Sequence, residues 1–511
     1  MLKLHFSIFD PTNQKNAIHK LITALILFSI VGVSAVISEL LGRDRILDIE
    51  VARKLFHFTA SICAAFSVLL VETQEILLLF GAASILISLL LIKFDFLKLL
   101  KRSKTKNWGL FFLPLSFTVL VLFLFPINKE IIFLSMLLLG VADASAALFG
   151  SFFSDSYFYL TSDKKSFIGS FAFFVTSIVI FILFFAGVVN VDKIPDFFFS
   201  LADILLFAVV TTILLTVVEA MSSRGFDNFT IPIFTSIIFY VFSLGNNFLL
   251  INQFALGVFL AAVVALVSIK FKFLTANGSA ATFILASFIF GLGGWKWSLP
   301  IMTFFILSSL LSKIRKRENE RVETYFEKTG TRDYLQVLAN GGIGGILVIY
   351  NQINPNELNY FIYLAAMAAV CADTWATEIG TLRKRPTYNV LNFKKIEQGV
   401  SGGISVVGAL GAMLGSFVIA LSGILWIELY WVYYLVLIIG TGLIGSFFDS
   451  ILGATIQLQS KCEVCEKITE REIHCGETTN YYRGFKWLNN DAVNFLSGIA
   501  SALFLILIFY F

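Results

Sequence analysis

The sequence predicts an all-α, polytopic integral membrane protein with about 14–16 transmembrane helices in two related tandem domains. Hydrophobic residues make up 58% of the 511 residues and charged residues 14%, whereas soluble domains carry about 25% charged residues. Apolar runs of ~20 residues, long enough to cross a bilayer, recur along the whole chain. In addition, a set of rare polar residues repeats at a constant offset, which is typical of internally duplicated proteins.

The apolar runs define the spans in chain order. The first run, Ile18–Leu41, is too long for the apolar core of a signal peptide and is predicted to be a span. The segment 279–292 is short and contains glycine, so a re-entrant segment is the alternative there. The candidate spans are 18–41, 55–71, 76–92, 109–126, 131–150, 167–190, 200–221, 231–251, 254–271, 279–292, 297–314, 336–352, 360–380, 401–425, 430–453 and 491–511.

Basic residues are concentrated in alternate loops. These loops are Arg43–Lys54, Lys98–Lys106, 163–165, Lys313–Arg321 and Arg383–Lys395. They are separated by even numbers of spans and therefore lie on one side, which the positive-inside rule predicts to be cytoplasmic. We expect a multi-pass protein of the cell membrane, surrounded by lipid. The net charge of +4 is small and scattered, which argues against nucleic acid as a partner.

The repeated residues are acids, lysines and glycines. Asp143 and Asp373 are 230 positions apart. The same offset pairs Lys164-Lys165 with Lys394-Lys395, Gly169 with Gly399, and Glu219 with Asp449. Asp227 matches Asp491 once an insertion containing a Cys/His loop, 455–487, is allowed. We therefore expect two parallel membrane domains, 1–250 and 251–511.

Each expected domain combines acids in or near apolar spans with a basic loop followed by glycine. Carboxylates within spans are costly and indicate function, although an interhelical hydrogen bond is the alternative explanation. Acids can hold Mg²⁺, lysines can bind phosphates, and glycine lets backbone N–H groups approach an anion. No GxxxxGK[ST] motif is present, which excludes a P-loop enzyme. These residues leave a membrane phosphotransferase and an anion transporter equally open.

The first half resembles the phytol kinase and dolichol kinase group. The matching residues are Arg53–His57, Asp143–Gly150, Lys164–Ser170, Glu219 and Asp227–Pro232. Members of that group are membrane enzymes that phosphorylate prenyl alcohols with a nucleoside triphosphate, often CTP. Where the group usually has Gly-Asp-Gly, this chain has Ala142-Asp143-Ala144.

The second half resembles the phytyl-phosphate kinase family over nearly its whole length. The matching residues are Thr275–Thr282, Arg332-Asp333, Gln336–Gly342, Ala372–Gly380, Gly399, Ser401–Gly403, Asp449, Leu452–Thr455 and Trp487–Asp491. The family tends to have Pro-Gly where this chain has Gln398-Gly399.

Together the resemblances imply a bifunctional enzyme that converts an isoprenoid alcohol to its monophosphate and then to its diphosphate, with CTP or another nucleoside triphosphate and Mg²⁺. The acids implied as metal ligands or base are Asp143, Glu219, Asp227, Asp373, Asp449 and Asp491. The residues implied to bind nucleotide or phosphate are Arg53, Lys54, His57, Lys164, Lys165, Gly169, Lys394, Lys395 and Gly399. For His57, capping a helix is the alternative role.

The Cys/His loop offers Cys462, Cys465, His474 and Cys475, a ligand set for structural Zn²⁺. Adjacent His and Cys ligands are unusual, because neighbouring side chains diverge, and free thiols are the alternative. Three alternatives for the whole chain remain. They are a transporter or flippase with a parallel repeat, a lipid-phosphate cytidylyltransferase, and an enzyme in which only one half is active.

Overall fold

A computed structural model describes residues 11–94, 108–187, 200–244, 248–319 and 331–510. The basic loop Lys98–Lys106, the short loop 191–199 and the last residues of Lys313–Arg321 lie outside these ranges. Within the described residues, twelve helices are long and apolar enough to cross a membrane, and Gly109–Leu124 and Asp227–Ser243 are shorter apolar helices. The predicted fold class, an all-α multi-pass membrane protein, is confirmed.

The chain divides into two compact units, Met1–Ile251 and Asn252–Phe511. The expected boundary lay between 250 and 251. Unit 1 contains α1 (Pro11–Arg43), α2 (Ile49–Leu70), α3 (Gln74–Lys93), α4 (Gly109–Leu124), α5 (Lys129–Phe153), β1 (Tyr157–Phe158), β2 (Lys165–Ser166), α6 (Phe167–Phe185), α7 (Leu201–Met221) and α8 (Asp227–Ser243).

Unit 2 contains most of α9 (Phe248–Lys270), then α10 (Ala276–Glu318), α11 (Tyr334–Ile353), α12 (Glu357–Gly380), β3 (Thr387–Asn389), β4 (Lys395–Ile396), β5 (Gly403–Ile404), α13 (Val406–Gly423), α14 (Trp431–Thr455), β6 (Gln459–Lys461), β7 (Ile468–Thr469), β8 (Ile473–His474), β9 (Glu477–Thr478), β10 (Asn480–Arg483) and α15 (Asn490–Tyr510). Strand β3 pairs with both β4 and β5, and β6 lies between β7 and β10.

One helix lies at the centre of each unit. In unit 1, α5 packs against α2, α6 and α8, and in unit 2, α12 packs against α13, α14 and α15. In the most apolar 18-residue stretch of α5 and of α12, 72% of the residues are buried, whereas in that of α1 only 11% are. A helix that is apolar all round and surrounded by other helices is typical of the core of a membrane bundle. These two central helices carry Asp143 and Asp373.

Small residues let a second helix approach the central helix closely. The Ser166 side chain caps α6 by accepting a hydrogen bond from the Gly169 N–H at 3.0 Å. A Cβ atom at Gly169 would lie 2.7 Å from the Ala146 carbonyl oxygen of α5, so only glycine fits this crossing. In unit 2, Ser405 caps α13 in the same way through the Gly408 N–H at 3.0 Å.

The glycine-containing segment 279–292 is helical throughout. It lies in α10, which bends at Gly294 and then continues through the next predicted span, 297–314. Gly294 has φ 59° and ψ −156°, a conformation that glycine adopts without strain. The break therefore lies between the two predicted spans.

Candidate functional site

Unit 1 contains a cavity of about 900 Å³ that is apolar at one end and charged at the other. The apolar wall is built from helices α1 to α4, with side chains such as Phe28, Phe80 and Phe117. The charged lining residues are Glu50, Arg53, Lys54, His57, Asp143, Asp163, Lys164, Lys165, Glu219 and Asp227. This volume is within the range of about 300–1,000 Å³ that is usual for small-molecule sites.

Helices α2 and α5 contribute a buried ion pair to the charged end. The Lys54 ammonium lies 2.5 Å from Asp143 Oδ2, and the two side chains are 13% and 3% exposed. His57, also on α2, places Nδ1 3.7 Å from the same carboxylate oxygen. Neither ring nitrogen of His57 has a hydrogen-bond partner among the described residues. Since His57 lies in the third turn of α2, the helix-cap alternative is wrong.

A second buried pair joins the β1–β2 hairpin to α7. The Lys165 ammonium donates a 2.5 Å hydrogen bond to Glu219 Oε1 and lies 3.9 Å from Asp227 Oδ2. Burial alone would lower the pKa of Lys165, but the carboxylates of Glu219 and Asp227 outweigh it and raise that pKa. Lys165 is therefore a fixed positive charge. The pairing of Lys165 with Phe158 in the hairpin holds its backbone in place.

The remaining sequence-predicted residues of unit 1 lie around these pairs. Arg53 is bound to Glu50 of its own helix at 2.6 Å. Lys164 is exposed, and its ammonium lies 3.4 Å from the centre of the Tyr157 ring. Gly169 also lines the cavity, although its role in the structure is the close approach of α6 to α5.

Unit 2 brings two carboxyl groups together, and no lysine among its described residues pairs with them. Asp373 of α12 and Asp449 of α14 lie within hydrogen-bond distance of each other. Asp449 is 9% exposed, and its Oδ2 atom has no hydrogen-bond partner among the described residues. Two carboxyl groups in such contact repel one another unless a proton or a cation lies between them. Oxygen-rich arrangements of this kind suit hard divalent cations.

Glu470 is a third acid of this site, and the sequence reasoning missed it. Its Oε1 atom accepts hydrogen bonds from Ser401 Oγ at 2.6 Å and Gln457 Nε2 at 2.7 Å. The charge of Glu470 also acts on both Asp373 and Asp449. Glu470 directly follows β7, inside the polar insertion. No signal in the sequence identified it, because a glutamate in a polar loop is unremarkable.

Lys394 and Lys395 are not brought to this site. Both are exposed, and the described residues show no charged contact between them and Asp373 or Asp449. The residue that precedes the helix cap Ser166 in unit 1 is Lys165, whereas the one that precedes the cap Ser405 in unit 2 is Ile404.

The expected pairing of the basic loops is therefore corrected. The caps Ser166 and Ser405 occupy equivalent places at the start of α6 and α13. They are 239 positions apart rather than the 230 of the sequence repeat, because β3 and β4 lengthen the loop of unit 2. Gly399 lies in a turn of that loop with φ 96°, whereas Gly169 lies in the first turn of α6. Asp491 lies in the first turn of α15 and is buried.

A further set of charged residues in unit 2 surrounds the buried carboxylate of Glu378. Arg315 forms an ion pair with Glu378, and Ser312 Oγ donates a 2.5 Å hydrogen bond to the same carboxylate. Arg332 is close enough to Glu378 for the two charges to attract each other. Burial lowers the pKa of Arg332, and the negative charge of Glu378 partly offsets that effect. Arg332 and Glu378 lie in stretches that the sequence motifs contain, but their association was not predicted.

The four Cys/His residues meet in the loop between α14 and α15. Their donor atoms all lie within 4.8 Å of one another. Cys462 and His474 are buried, Cys465 is half-buried and Cys475 is exposed.

Comparison with known proteins relates the second unit to a membrane family. Residues 259–502 match the model of the family described as integral membrane protein DUF92. Protein PGR of Arabidopsis thaliana is 28% identical over 265 residues, which are 47% of this chain and 91% of the relative. An uncharacterized membrane protein of Methanocaldococcus jannaschii is 29% identical over 211 residues, 39% of this chain and 82% of the relative.

A third relative is Protein VTE6, chloroplastic, of Arabidopsis thaliana. It is 26% identical over 230 residues, 44% of this chain and 62% of the relative. No solved structure matches the chain. The chain is thus a helical, multi-pass integral membrane protein whose residues 259–502 match the integral membrane protein DUF92 family.

Proposed function

We propose that this chain is a bifunctional prenyl alcohol kinase and prenyl phosphate kinase. Unit 1 converts an isoprenoid alcohol such as phytol to its monophosphate, and unit 2 converts the monophosphate to the diphosphate. The donor is CTP or another nucleoside triphosphate, with Mg²⁺. The observation that carries the proposal is the cavity of unit 1, whose apolar part suits an isoprenoid tail and whose charged end suits phosphates.

The charged end of the unit 1 cavity has the parts that phosphoryl transfer requires. Positioning and charge neutralisation dominate this chemistry. Lys54 and Lys165 supply two buried positive charges, each now balanced by a carboxylate. Asp143 and Asp227 are oxygen donors that fit Mg²⁺, which would neutralise the charge of the nucleotide phosphates.

In the first reaction, the substrate hydroxyl oxygen bonds to the γ-phosphorus while the bond from that phosphorus to the β-phosphate oxygen breaks. The hydroxyl proton must pass to a base. Glu219 Oε2 suits this role, because it is buried and has no hydrogen-bond partner among the described residues.

The second reaction needs no such base. A phosphate monoester has its second pKa at about 6, so a monophosphate is already largely ionised at neutral pH. The obstacle is repulsion between two polyanions. The acids of unit 2 suit this case, since Asp373, Asp449 and Glu470 would hold Mg²⁺ and no lysine among the described residues competes for Asp373 or Asp449.

The sequence relationships support the same assignment. The motifs of the second half resemble the phytyl-phosphate kinase family. Residues 259–502, which make up most of unit 2, match the integral membrane protein DUF92 family. The internal repeat of acids and the similar packing around α5 and α12 support two related sites in one chain.

The test is product analysis of the purified full-length protein with phytol or geranylgeraniol, Mg²⁺ and γ-labelled CTP or ATP. We expect label in both the monophosphate and the diphosphate. Asp143→Asn removes both products from the alcohol, and Asp373→Asn accumulates the monophosphate. Failure to label any prenol or prenyl phosphate from either nucleotide would refute the kinase proposal and favour a transporter.

A further inference from the structure

Two short hairpins lie in the loop that connects α14 to α15. The first pairs β6 with β7, and the second pairs β8 with β9. The turn of the first hairpin carries Cys462 and Cys465, and His474 and Cys475 lie at the turn of the second. From this arrangement we propose that residues 456–489 fold around a structural zinc ion bound by Cys462, Cys465, His474 and Cys475.

The donor atoms are close to the separations that tetrahedral zinc imposes. His474 Nδ1 lies 3.5 Å from Cys465 Sγ and 3.2 Å from Cys475 Sγ, and all four donors are within 4.8 Å of one another. With Zn–S bonds of about 2.3 Å and Zn–N bonds of about 2.0 Å, ligand atoms at tetrahedral angles are roughly 3.5–3.8 Å apart. A small contraction around the ion would complete the site.

The first turn is shaped to receive a metal-bound thiolate. The backbone N–H groups of Val464 and Cys465 both donate hydrogen bonds to Cys462 Sγ. The turn is closed by a 3.0 Å hydrogen bond from the Cys462 N–H to the Lys467 carbonyl. Cys462 is 1% exposed, and backbone donors directed at a buried cysteine sulfur are the outer-shell contacts that orient a metal ligand.

The second turn explains how adjacent residues can both be ligands. Cys475 and Gly476 have φ angles of 54° and 84°, so the β8–β9 turn has left-handed backbone at both central positions. This turn brings the Cys475 sulfur back to the His474 ring. A left-handed conformation is unfavourable for a residue other than glycine, and metal coordination accounts for the presence of cysteine there.

The segment has almost no apolar core of its own. Of residues 456–489, only Gln457, Gln459, Cys462, Thr469, His474 and Leu488 are buried. Leu488 is thus the one large aliphatic side chain among them, and two of the six are the proposed ligands. Segments below about 40 residues usually need disulfides, metals or association to hold a fold. Since the cysteines form no disulfide, a metal is the cross-link that these side chains can supply in addition to the strand pairing.

The zinc has a second consequence, which rests on the proposed function of unit 2. Glu470 follows β7 directly, and β7 pairs with β6 next to Cys462. The zinc site therefore holds the strand that presents Glu470 to Asp373 and Asp449. Loss of zinc should reduce diphosphate formation while leaving monophosphate formation from the alcohol intact.

The test is the zinc content of the purified full-length protein in detergent, measured by mass spectrometry without any substrate. We expect one zinc per chain in the wild type and in the matched control Cys63→Ser, whose cysteine lies in α2. Cys462→Ser and Cys475→Ser should retain less than about a tenth of it, because each removes one of four ligands. Cys475→His, which keeps a ligand at the exposed corner, should retain zinc.

Wild-type protein from zinc-supplemented cells without stoichiometric zinc would overturn the proposal, as would ligand variants that keep full zinc. Cobalt substitution provides an independent readout, since tetrahedral thiolate coordination gives intense visible bands and sulfur-to-cobalt charge transfer. Octahedral cobalt spectra would also overturn it. Because neither measurement depends on phosphoryl transfer, failure of the zinc proposal and failure of the kinase proposal are distinguishable.

Discussion

Lys165 and Glu219 neutralise each other inside unit 1, with side chains 15% and 5% exposed. Replacement of Lys165 by Met leaves a buried carboxylate without its partner. Breaking a buried pair from one side costs about 3–5 kcal/mol. We therefore expect Lys165→Met to lower thermal stability and to abolish monophosphate formation.

The double variant Lys165→Met/Glu219→Gln distinguishes the two effects. It removes both charges, so stability should largely return while activity does not. Lys164→Met is the matched control, because Lys164 is exposed and its contact with Tyr157 contributes about 1 kcal/mol or less. Equal loss of stability in the Lys164 and Lys165 variants would contradict the assigned role of the buried pair.

Glu470 allows a separate test of unit 2. Glu470→Gln keeps the size of the side chain but removes the charge that acts on Asp373 and Asp449. We expect diphosphate formation from supplied monophosphate to fall about 10- to 100-fold, as for residues that support a metal site. Glu472→Gln, at an exposed position of the same loop, should have no effect. An unchanged rate in Glu470→Gln would exclude Glu470 from the site.

The packing of α13 against α12 depends on glycine. A Cβ atom at Gly415 would lie 2.7 Å from the Cys371 carbonyl oxygen, whereas a Cβ at Gly440 of α14 meets nothing within 4 Å. Gly415→Ala should therefore destabilise unit 2 by about 1–3 kcal/mol through overpacking. Gly440→Ala should be neutral or slightly stabilising, because alanine favours helix by up to about 1 kcal/mol. Thermal unfolding in detergent compares the two, and equal stabilities would contradict the close crossing.

The helices and the intramembrane acids could be predicted from sequence for the same physical reason. A bilayer requires long apolar helices, and a carboxylate within one is costly enough to be informative. Asp143, Glu219, Asp373 and Asp449 therefore stood out against an apolar background. In the loops, charged residues are common and no longer stand out from their neighbours. Glu470 was missed and Lys394-Lys395 were matched to Lys164-Lys165 because polar loops have no periodicity that fixes the alignment.

Local backbone geometry also could not be predicted from the sequence. The adjacent ligands His474 and Cys475 looked incompatible, since side chains of neighbouring residues usually diverge. The left-handed turn at Cys475 and Gly476 reverses that expectation. Similarly, the sequence left a re-entrant segment open at 279–292, because the several glycines of the region do not show which of them interrupts the helix; the interruption is at Gly294.

For the whole molecule, the two proposed reactions are linked by an intermediate that stays in the membrane. A prenyl monophosphate released by one chain remains in the lipid that other chains share. We therefore expect Asp143→Asn and Asp373→Asn, each unable to make diphosphate from alcohol, to restore its formation when reconstituted in the same vesicles. Vesicles that hold the variants separately should remain inactive. Absence of diphosphate in the mixed vesicles would contradict exchange through the bilayer.

The burial of α5 and α12 determines which parts of the chain the hydrocarbon can reach. In their most apolar stretches 72% of the residues are buried, against 11% in α1. A photoactivated carbene probe dissolved in the acyl chains should therefore modify α1 heavily and leave α5 and α12 almost unmodified, as peptide mapping would measure. Apolar molecules dissolved in the bilayer would then reach Asp143 and Asp373 only through openings between the surrounding helices. The size and shape of these openings, rather than the solubility of a molecule in lipid, would determine which molecules reach the two carboxylates.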